Sequence, residues 1–356
     1  MDKIDVGIIG TGWCGGIRAE VCADHPLVEG LHIAETRGER RAEVQRATGA
    51  ITATDDWRRL VDDARIDAIV VSATPEDLHF PMAKAALAAG KHVFLEKPLA
   101  QTLEEADELA DLARAKNLKF TIGYSQRFNP KYAFIREKVQ DGTLGEPVSA
   151  LVSRHVTRNL GKKISGRTRL SPAAMEATHD IDFLLWCLSP RRPVRVYAQA
   201  VEKVMRKTVN ASDCMWIVVT LDDGTCMTVG AGWILPPGYP NYSSTWLEMV
   251  GAEGAIMIDD SHKDVILNTV ADGIRLPMSS MPGERVGHTY AGPMHAETLH
   301  FIDAIARDRP VLVTPEEARK VMEVYIAADL SAETHEPVAL PLNRTPAGRE
   351  LEAGRR

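Results

Sequence analysis

The stretch Val6-Gly7-Ile8-Ile9-Gly10-Thr11-Gly12-Trp13-Cys14-Gly15 sets three glycines at the spacing G-x-G-x-x-G directly after a short apolar run. The apolar run is typical of a buried strand, and the residues that follow, Gly16 to Ala23, are compatible with a helix. In such a unit Gly10 permits a tight bend, Gly12 lets the backbone approach a pyrophosphate, and Gly15 lets the helix pack close to the sheet. Because a helix N-terminus attracts anions, we predict dinucleotide binding at this turn. The predicted contact residues there are Gly10, Thr11, Gly12, Trp13, Cys14 and Gly15. A glycine-rich turn without a ligand is the alternative.

An acidic residue follows the second predicted strand, Leu31 to Ala34. Glu35 lies 20 positions beyond the last glycine of the motif, where a carboxylate can bind both ribose hydroxyls and repel a 2′-phosphate, which favours NAD. Thr36 and Arg37 come next, and these residue types would hold the 2′-phosphate of NADP. We therefore predict that Glu35, Thr36 and Arg37 contact the cofactor, with NAD favoured and NADP as the alternative. Solvated charges at a helix start are the other interpretation of Arg37, together with Arg40 and Arg41.

Strand-like and helix-like segments alternate through the first third of the chain. The strand-like segments are Val6 to Ile9, Leu31 to Ala34, Ala68 to Ser72, His92 to Leu95 and Phe120 to Ile122. The helix-like segments between them are Gly16 to Ala23, Glu39 to Ala47, Leu78 to Ala89 and Thr102 to Leu112, the last beginning with a capping box from Thr102 to Glu105. This alternation predicts parallel βαβ units with right-handed crossovers and hence a Rossmann fold.

The pattern changes after about Tyr124. Further strand-like segments are Val148 to Val156, Val194 to Val201, Met215 to Leu221, Met227 to Ile234 and Trp246 to Val250. Turns at Asp222–Gly224 and Ala252–Gly254 predict hairpins. Predicted helices are Phe128 to Val139, Ser171 to Cys187, Ala296 to Ala306 and Pro315 to Ala332.

Composition limits the kinds of partner. The chain has 356 residues, a net charge of −7 and five cysteines, and its length favours two domains. No long Lys/Arg stripe indicates a nucleic-acid groove. The cysteines lack C-x-x-C spacing and are odd in number, so neither a disulfide framework nor a zinc finger is expected. Without a signal-peptide or membrane-spanning pattern, we expect a cytoplasmic protein with no nucleic-acid or membrane partner.

A second motif, Glu96-Lys97-Pro98, follows the predicted strand that ends at Leu95. It resembles the Glu-Lys-Pro motif of the family of glucose–fructose oxidoreductase, inositol dehydrogenase and MocA. Other segments resemble the same family, in the family's order and over nearly the whole chain. They are Asp67 to Pro75 with His79, Gly123 to Pro130, His179 to Trp186, Val250 to Gly254 and Phe301 to Leu342.

The resemblance implies a fold class and a domain plan. The class is α/β, with an N-terminal Rossmann fold (a parallel, doubly wound sheet) and a C-terminal α/β domain built on a largely antiparallel open sheet. We predict a dinucleotide-binding domain at 1–124, a substrate-binding and oligomerisation domain at 125–342, and a flexible tail at 343–356. The outer face of the family's sheet commonly forms the oligomer. Some strands here carry apolar residues at consecutive positions, for example Met215 to Val219. Both faces of such a strand are apolar, which agrees with a sheet that is covered on two faces.

The resemblance also implies site residues. Lys97 matches the family's active-site lysine, whose ammonium can donate to a substrate hydroxyl and stabilise the alkoxide as hydride leaves. His179 matches the usual acid/base, for which imidazole is suited because it titrates near neutrality. Taken alone, Lys97 could be a surface lysine and His179 a core histidine, but within this ordered set we predict that both are catalytic. The other cofactor contacts implied by the match are Thr74, Pro75, His79, Glu96, Lys97 and Arg127.

One position departs from the family pattern. Met175 stands where the family usually has aspartate, four residues before the histidine on the same helical face. Methionine cannot orient an imidazole through a strong hydrogen bond, and Glu176 is expected to point about 100° away around the helix. His155 or a substrate group could replace the aspartate. Trp233 could cap the substrate pocket, or it could belong to the core.

Together these features predict an NAD(P)-dependent dehydrogenase that acts on a secondary alcohol of a cyclic polyol, sugar or sugar derivative. We expect a homodimer or homotetramer and no bound metal. Two alternatives stay open: an enzyme that reduces and reoxidises NAD within one elimination or hydrolysis cycle, and a non-enzymatic dinucleotide sensor.

Overall fold

The structure is a computed structural model that describes residues 3–166, 168, 170–240, 243–260, 267–271, 273–275, 285–342 and 344–345. Contacts divide the chain into two compact units, Met1–Asn129 with Pro282–Arg319, and Pro130–Met281 with Lys320–Arg356. The first unit therefore takes a late segment of the chain in addition to its N-terminal part. The functional division at 1–124 and 125–342 stays a prediction. In the predicted tail, 343 and 346–356 lie outside the described residues.

The α-helices of the described residues are numbered in chain order. They are α1 (Trp13–Ala23), α2 (Gly38–Thr48), α3 (Arg58–Val61), α4 (His79–Ala88), α5 (Leu103–Ala115), α6 (Pro130–Gln140), α7 (Arg158–Ser165), α8 (Thr178–Leu188), α9 (Arg206–Val209), α10 (Pro293–Ala306) and α11 (Pro315–Thr334). Short 3₁₀ turns cover Glu76–Leu78 and Ser125–Phe128, and a π-helical turn covers Ala173–Ala177.

The strands are numbered in the same way. They are β1 (Ile4–Ile9), β2 (Val28–Ala34), β3 (Thr52–Thr54), β4 (Ala68–Val71), β5 (His92–Leu95), β6 (Phe120–Ile122), β7 (Pro147–Thr157), β8 (Pro193–Val201), β9 (Cys214–Leu221), β10 (Cys226–Leu235), β11 (Ser243–Gly251), β12 (Ala255–Asp259), β13 (Leu267–Thr269), β14 (Gly273–Arg275), β15 (Arg285–Val286), β16 (Thr289–Tyr290) and β17 (Val338–Ala339).

The sheet of the first unit has six parallel strands in the order β3-β2-β1-β4-β5-β6. This is the strand order of a doubly wound dinucleotide-binding fold, so the predicted N-terminal fold class is confirmed. β4 is buried along its whole length, as expected for a central strand covered on both faces. The predicted capping box is also present, because Thr102 accepts from the Glu105 amide while the Glu105 carboxylate accepts from the Thr102 amide.

The register of this sheet aligns the carboxyl ends of four strands. Ile9 at the end of β1 pairs with Ala34 of β2 and with Val71 of β4, and Val71 pairs in turn with Leu95 of β5. The residues that follow these strand ends therefore lie along one edge. Those residues are Gly10, Glu35, Ser72 and Glu96.

The sheet of the second unit has seven strands in the order β12-β11-β7-β10-β9-β8-β17. β7 and β10 pair in parallel, and the other neighbours are antiparallel, which confirms the predicted largely antiparallel sheet. The predicted hairpins join β9 to β10 and β11 to β12. The helix predicted over Ser171 to Cys187 is present, and its first part is a π-helical turn, Ala173–Ala177, that leads directly into α8.

The two faces of the second sheet differ in burial. On β9, Met215, Ile217 and Val219 are buried, whereas the alternate residues Trp216 and Val218 are about two-fifths exposed. We call the exposed side the open face. It carries the large apolar side chains of Tyr197, Trp216, Val218, Trp246 and Met257.

No helix in the described part of the chain combines the length and the hydropathy needed to cross a membrane.

Candidate active site

The glycine turn has the close backbone approaches that were predicted for Gly10 and Gly15. Gly10 has φ of +82°, and a Cβ there would lie 2.7 Å from the Ala73 Cα. A Cβ on Gly15 would lie 1.9 Å from the Gly10 carbonyl oxygen, so that only glycine allows α1 to begin this close to β1. Gly12 is different, since no described atom lies within 4 Å of its Cβ position. The turn is therefore closed toward the protein at Gly10 and Gly15 and open at Gly12.

Glu35 is already engaged by protein donors. One carboxylate oxygen accepts from the amide and the hydroxyl of Thr11 at 3.0 and 3.1 Å, and the other accepts from the Arg37 amide and Nε at 3.1 and 3.0 Å. Burial opposes ionisation of Glu35, but the hydrogen bonds from Arg37 and Thr11 outweigh it and lower its pKa to about 2. Glu35 is thus a carboxylate at neutral pH, and its charge is balanced by Arg37.

Two further arginines hold the same loop. Arg40 donates to the carbonyl oxygens of Thr11 and Gly12 at 2.7 and 3.3 Å, and Arg41 donates to the Glu35 carbonyl at 2.6 Å. The interpretation of Arg40 and Arg41 as merely solvated charges is therefore wrong. Arg40 ties the start of α2 to the glycine turn, and Arg41 ties it to the residue that follows β2.

Ser72 lies at the same edge but was missed by sequence reasoning. It is buried, and its hydroxyl has no hydrogen-bond partner among the described residues. Its Cβ would lie 3.0 Å from a Cβ on Gly15. The strand order could have identified Ser72. Because β4 lies beside β1, the first residue after β4 lies next to the glycine turn that follows β1.

The loop after β4 contains the predicted cofactor residues Thr74, Pro75 and His79. Thr74 and Pro75 are exposed, whereas His79 is 1% exposed. The His79 Nδ1 lies 2.9 Å from the Pro98 carbonyl oxygen and its Nε2 lies 3.1 Å from that of Ala73. His79 therefore ties the loop after β4 to the Glu-Lys-Pro turn after β5, and a direct contact with a cofactor stays a prediction.

Lys97 is partly exposed directly after β5. Its neighbour Glu96 accepts a hydrogen bond from the buried Arg18 at 2.8 Å. Arg127 is 2% exposed and donates to the Leu312 carbonyl oxygen and to Glu317, both at 3.0 Å. A contact between Arg127 and the cofactor stays a prediction.

In the second unit, the predicted histidine begins a helix. His179 lies in the first turn of α8 and is partly exposed, whereas Met175 is buried at 2% exposure in the π-helical turn before it.

Glu176 and Asp180 bind Arg154, whose side chain is 11% exposed. Arg154 on β7 donates through Nε to Asp180 at 2.9 Å and through Nη1 to Glu176 at 3.2 Å, and its Nη2 donates to the Glu176 carbonyl oxygen. The Trp233 indole donates to the other Glu176 oxygen at 3.2 Å. The two carboxylates on either side of His179 in sequence thus anchor its helix to the sheet.

Two residues that were predicted to contact substrate, His155 and Trp233, lie on β7 and β10. His155 follows Arg154 on β7 and points to the open face, with its ring centroid 5.7 Å from that of Trp216. Because neighbouring residues of a strand point to opposite faces, the structure does not bring His155 to the helix of His179, and His155 does not replace the missing aspartate. Burial and then the charge of Arg154 lower the pKa of His155 to about 4. Trp233 is fully buried, in agreement with the core alternative, and a substrate contact for it stays a prediction.

The contrast among the glycines gives a test of the turn. We expect Gly12→Val to fold normally and to lose dinucleotide binding, because its side chain enters space that no described atom occupies. Gly15→Val should instead lower stability through the clash with Gly10. Gly238→Val, at another position with nothing within 4 Å, is the matched control and should bind like the wild type. Calorimetric titration with NAD and NADP measures the result, and wild-type affinity in Gly12→Val contradicts the assignment.

Comparison with known proteins gives one family. Residues 4–124 match the model of an oxidoreductase family with an NAD-binding Rossmann fold, and residues 136–340 match the model of that family's C-terminal α/β domain. Levoglucosan dehydrogenase of Pseudarthrobacter phenanthrenivorans is 34% identical over 157 residues, which are 42% of this chain and 40% of that protein. The NAD⁺-dependent scyllo-inositol 2-dehydrogenase of Bacillus subtilis is 23% identical over 97% of this chain and 99% of its own length.

A solved structure of levoglucosan dehydrogenase in complex with NADH and levoglucosan has the same fold. It superposes with a TM-score of 0.79 at 23% identity and covers 96% of this chain and 100% of that chain. Both family models together span most of the sequence. The chain belongs to the Gfo/Idh/MocA oxidoreductase family, with an NAD-binding Rossmann domain followed by the family's C-terminal α/β domain.

Proposed function

We propose that this protein is a dehydrogenase that transfers a hydride between NAD and a secondary alcohol of a cyclic polyol, sugar or sugar derivative. The observation that carries the proposal is the shared edge of the parallel sheet, where the glycine turn follows β1, Glu35 follows β2 and the Glu96–Lys97 turn follows β5. The names of the relatives, an inositol dehydrogenase and a levoglucosan dehydrogenase, support the substrate class.

The residues of the edge divide the work of holding the cofactor. The open side of the turn at Gly12 and the first amides of α1 would receive the pyrophosphate, since a helix N-terminus favours an anion. Glu35 and Arg37 lie where the adenosine ribose is expected. When bound, NAD supplies the acceptor for the hydride.

Lys97 and His179 are assigned the proton chemistry. Loss of hydride from a carbinol carbon leaves a carbonyl and requires the hydroxyl proton to depart. The Lys97 ammonium would stabilise the developing charge on that oxygen, and the His179 imidazole would accept the proton. Arg154 binds the flanking carboxylates of Glu176 and Asp180 and so anchors the start of α8, the helix that carries His179.

A screen of polyols and sugars tests the function. The purified protein with NAD is offered scyllo-inositol, myo-inositol, levoglucosan and glucose, and NADH formation is followed by absorbance. Net NADH formation with at least one cyclic polyol or sugar supports the proposal. Substrate consumption without net NADH would favour the redox-neutral alternative, and NAD binding without turnover of any compound would favour the sensor.

Cofactor preference provides a second prediction. We expect NAD to bind more tightly than NADP, because the Glu35 carboxylate repels a 2′-phosphate, and we expect Glu35→Gln to reduce this difference by freeing Arg37. Arg65→Ala, which breaks an exposed pair with Asp63 in the same unit, is the control and should leave both affinities unchanged. Parallel titrations decide the matter. Tighter binding of NADP by the wild type, lost in Arg37→Ala, shows that Arg37 and not Glu35 sets the preference.

Catalysis should depend on both proposed groups. Removing a general acid or base typically costs about 10²–10⁴-fold in rate, so Lys97→Ala and His179→Ala should bind NAD normally and turn over slowly. With Met175 in place of a carboxylate, the loss at His179 should be the smaller one. Lys84→Ala and His288→Ala, at surface positions, are controls for single-turnover rates. Wild-type turnover in Lys97→Ala means that the active site is misplaced, whereas wild-type turnover in His179→Ala alone means that another group takes the proton.

We also propose that the protein self-associates through the open face of the second sheet. Two tryptophans, a tyrosine, a valine and a methionine lie there with 38–53% of their surface exposed, and a contiguous apolar face of this kind marks an interaction site. Sedimentation at micromolar concentration should show a dimer or tetramer. Val218→Glu puts a charge on the face and should shift the equilibrium toward monomer, whereas Val286→Glu, exposed in the first unit, should not. A monomeric wild type refutes this proposal.

A further inference from the structure

The stretch of chain between Glu146 and Glu176 is strongly basic in an otherwise acidic protein. It contains six lysine and arginine residues and no aspartate or glutamate, whereas the whole chain has a net charge of −7. The helix α7 (Arg158–Ser165) belongs to this stretch and follows directly on β7 (Pro147–Thr157). A local excess of positive charge of this kind concentrates anions at the surface that carries it.

Three residues of α7 form one polar stripe. Arg158, Lys162 and Ser165 are spaced four and then three residues apart, and residues at this spacing lie on one side of an α-helix. By the same helical geometry the stripe borders the buried side of α7, which contains Gly161 and Ile164. The helix thus brings together a guanidinium, an ammonium and a hydroxyl, all of which can donate hydrogen bonds.

Two donors of this stripe are buried without a partner. The Nε of Arg158 and the Oγ of Ser165 are shielded from solvent, and neither has a hydrogen-bond partner among the described residues. A buried polar group normally finds a partner, because leaving it unpaired costs free energy. Two such donors on one side of a short helix therefore indicate a place where a ligand supplies the acceptors.

The charge of Arg158 acts on the carboxylate of Asp213, which precedes β9. That carboxylate accepts hydrogen bonds from the amides of Val204 and Met205, each at 2.9 Å, and from the amide of Lys203. Burial raises the pKa of Asp213, but these hydrogen bonds and then the charge of Arg158 lower it below its ordinary value. Because Asp213 is committed to backbone amides, it acts on Arg158 only through its charge and leaves the Nε donor unfilled.

The helix α7 packs at the end of the second sheet near the start of α8. A Cβ on Gly161 would lie 2.4 Å from the Cβ of Trp233, so only glycine lets α7 pack this closely on β10. The Trp233 indole donates in turn to Glu176 at 3.2 Å, in the π-helical turn that precedes His179. A continuous chain of contacts within the second unit therefore connects α7 to the helix of the proposed acid/base.

A phosphoryl group fits the donors of the stripe better than a carboxylate or a neutral hydroxyl does. A guanidinium binds phosphate through parallel hydrogen bonds, and the ammonium and hydroxyl supply further donors. A phosphate monoester carries a charge of about −1.5 to −2 near neutral pH. This charge matches the two cations Arg158 and Lys162, whereas a carboxylate would neutralise only one of them.

We propose that Arg158, Lys162 and Ser165 bind the phosphoryl group of the substrate, which makes the substrate a phosphorylated sugar or polyol rather than a neutral one. The guanidinium of Arg158 and the hydroxyl of Ser165 donate to phosphate oxygens, and Lys162 adds its charge from the exposed side of the helix. The inference rests on the proposed function, because it takes the carbinol carbon of the same substrate to react beside His179.

Binding of inorganic phosphate to the protein saturated with NAD tests the stripe. Phosphorus NMR line broadening measures the bound ion, and NAD occupies the other predicted anion site, at the glycine turn. We expect Arg158→Met to weaken phosphate binding by about tenfold or more, since a hydrogen bond from a charged donor is lost. Its thermal midpoint should equal or exceed that of the wild type, because the Nε has no described partner to lose. An arginine with a structural role would instead lower the midpoint.

Arg192→Met is the matched control. Arg192 pairs with Asp222 at 3.0 Å just after β9, at the opposite end of that strand from Asp213. The change removes the same charge and should leave phosphate binding at the wild-type level. Ser165→Ala should weaken phosphate binding by a smaller factor than Arg158→Met. Equal phosphate affinity in the wild type and in Arg158→Met overturns the inference.

Competition between compounds identifies the group that the stripe binds. Glucose 6-phosphate should displace inorganic phosphate, whereas glucose should not. Displacement by glucuronate at the same concentration as by glucose 6-phosphate overturns the phosphoryl assignment and makes the stripe a carboxylate site.

Turnover separates this inference from the proposed function. A phosphorylated compound should have a KM about tenfold below that of its neutral parent, and Arg158→Met should remove this advantage through KM rather than kcat, because the stripe binds a group that does not react. A lower KM for the neutral parent overturns the inference and leaves the dehydrogenase in place. An active Lys97→Ala overturns the proposed function, whereas the dependence of phosphate binding on Arg158 is measured without turnover.

Discussion

A buried guanidinium cannot keep its hydration shell, so it must find carboxylates, and Arg18 is where the first unit meets this requirement. Its partners come from segments far apart in the chain, the end of β5 and the start of α10, and its own helix begins at the glycine turn. If any of the three segments moved, charge would be left unpaired in the interior. The cofactor turn, the Glu96–Lys97 turn and the late helix are therefore stabilised as one set.

The second unit uses the same chemistry around the proposed acid/base. Arg154 reaches from β7 to Glu176 and Asp180, and the Trp233 indole completes the hydrogen bonding of Glu176. A π-helical turn leaves backbone carbonyls displaced from the regular α-helical ladder, and Arg154 binds one of them, that of Glu176. The irregular turn and the arginine thus belong together, and they place α8 without the carboxylate that the family has at position 175.

Much of the first unit could be predicted from its sequence because its signals are local. A glycine with positive φ, an apolar run buried on both faces and a capping box each depend on a few neighbouring residues, and the structure has all three, at Gly10, β4 and Thr102. Hairpins in the second unit were predictable for the same reason. The π-helical turn was not, because its residues are compatible with an ordinary helix and only the contacts with Arg154 and Trp233 distinguish it.

The sequence by itself determined the fold class, the family and the candidate residues of the cofactor turn, since these depend on periodicity and on short motifs. Only the tertiary structure decided the roles of the charged residues. Arg18 is one residue of a helix and Arg154 one residue of a strand, with no motif that marks either, and His155 was a candidate to replace the aspartate. Their roles depend on which side of a strand or helix faces the interior and on which carboxylates arrive there from distant segments, because the free energy of a buried charge is set by its neighbours in space and not by its neighbours in sequence.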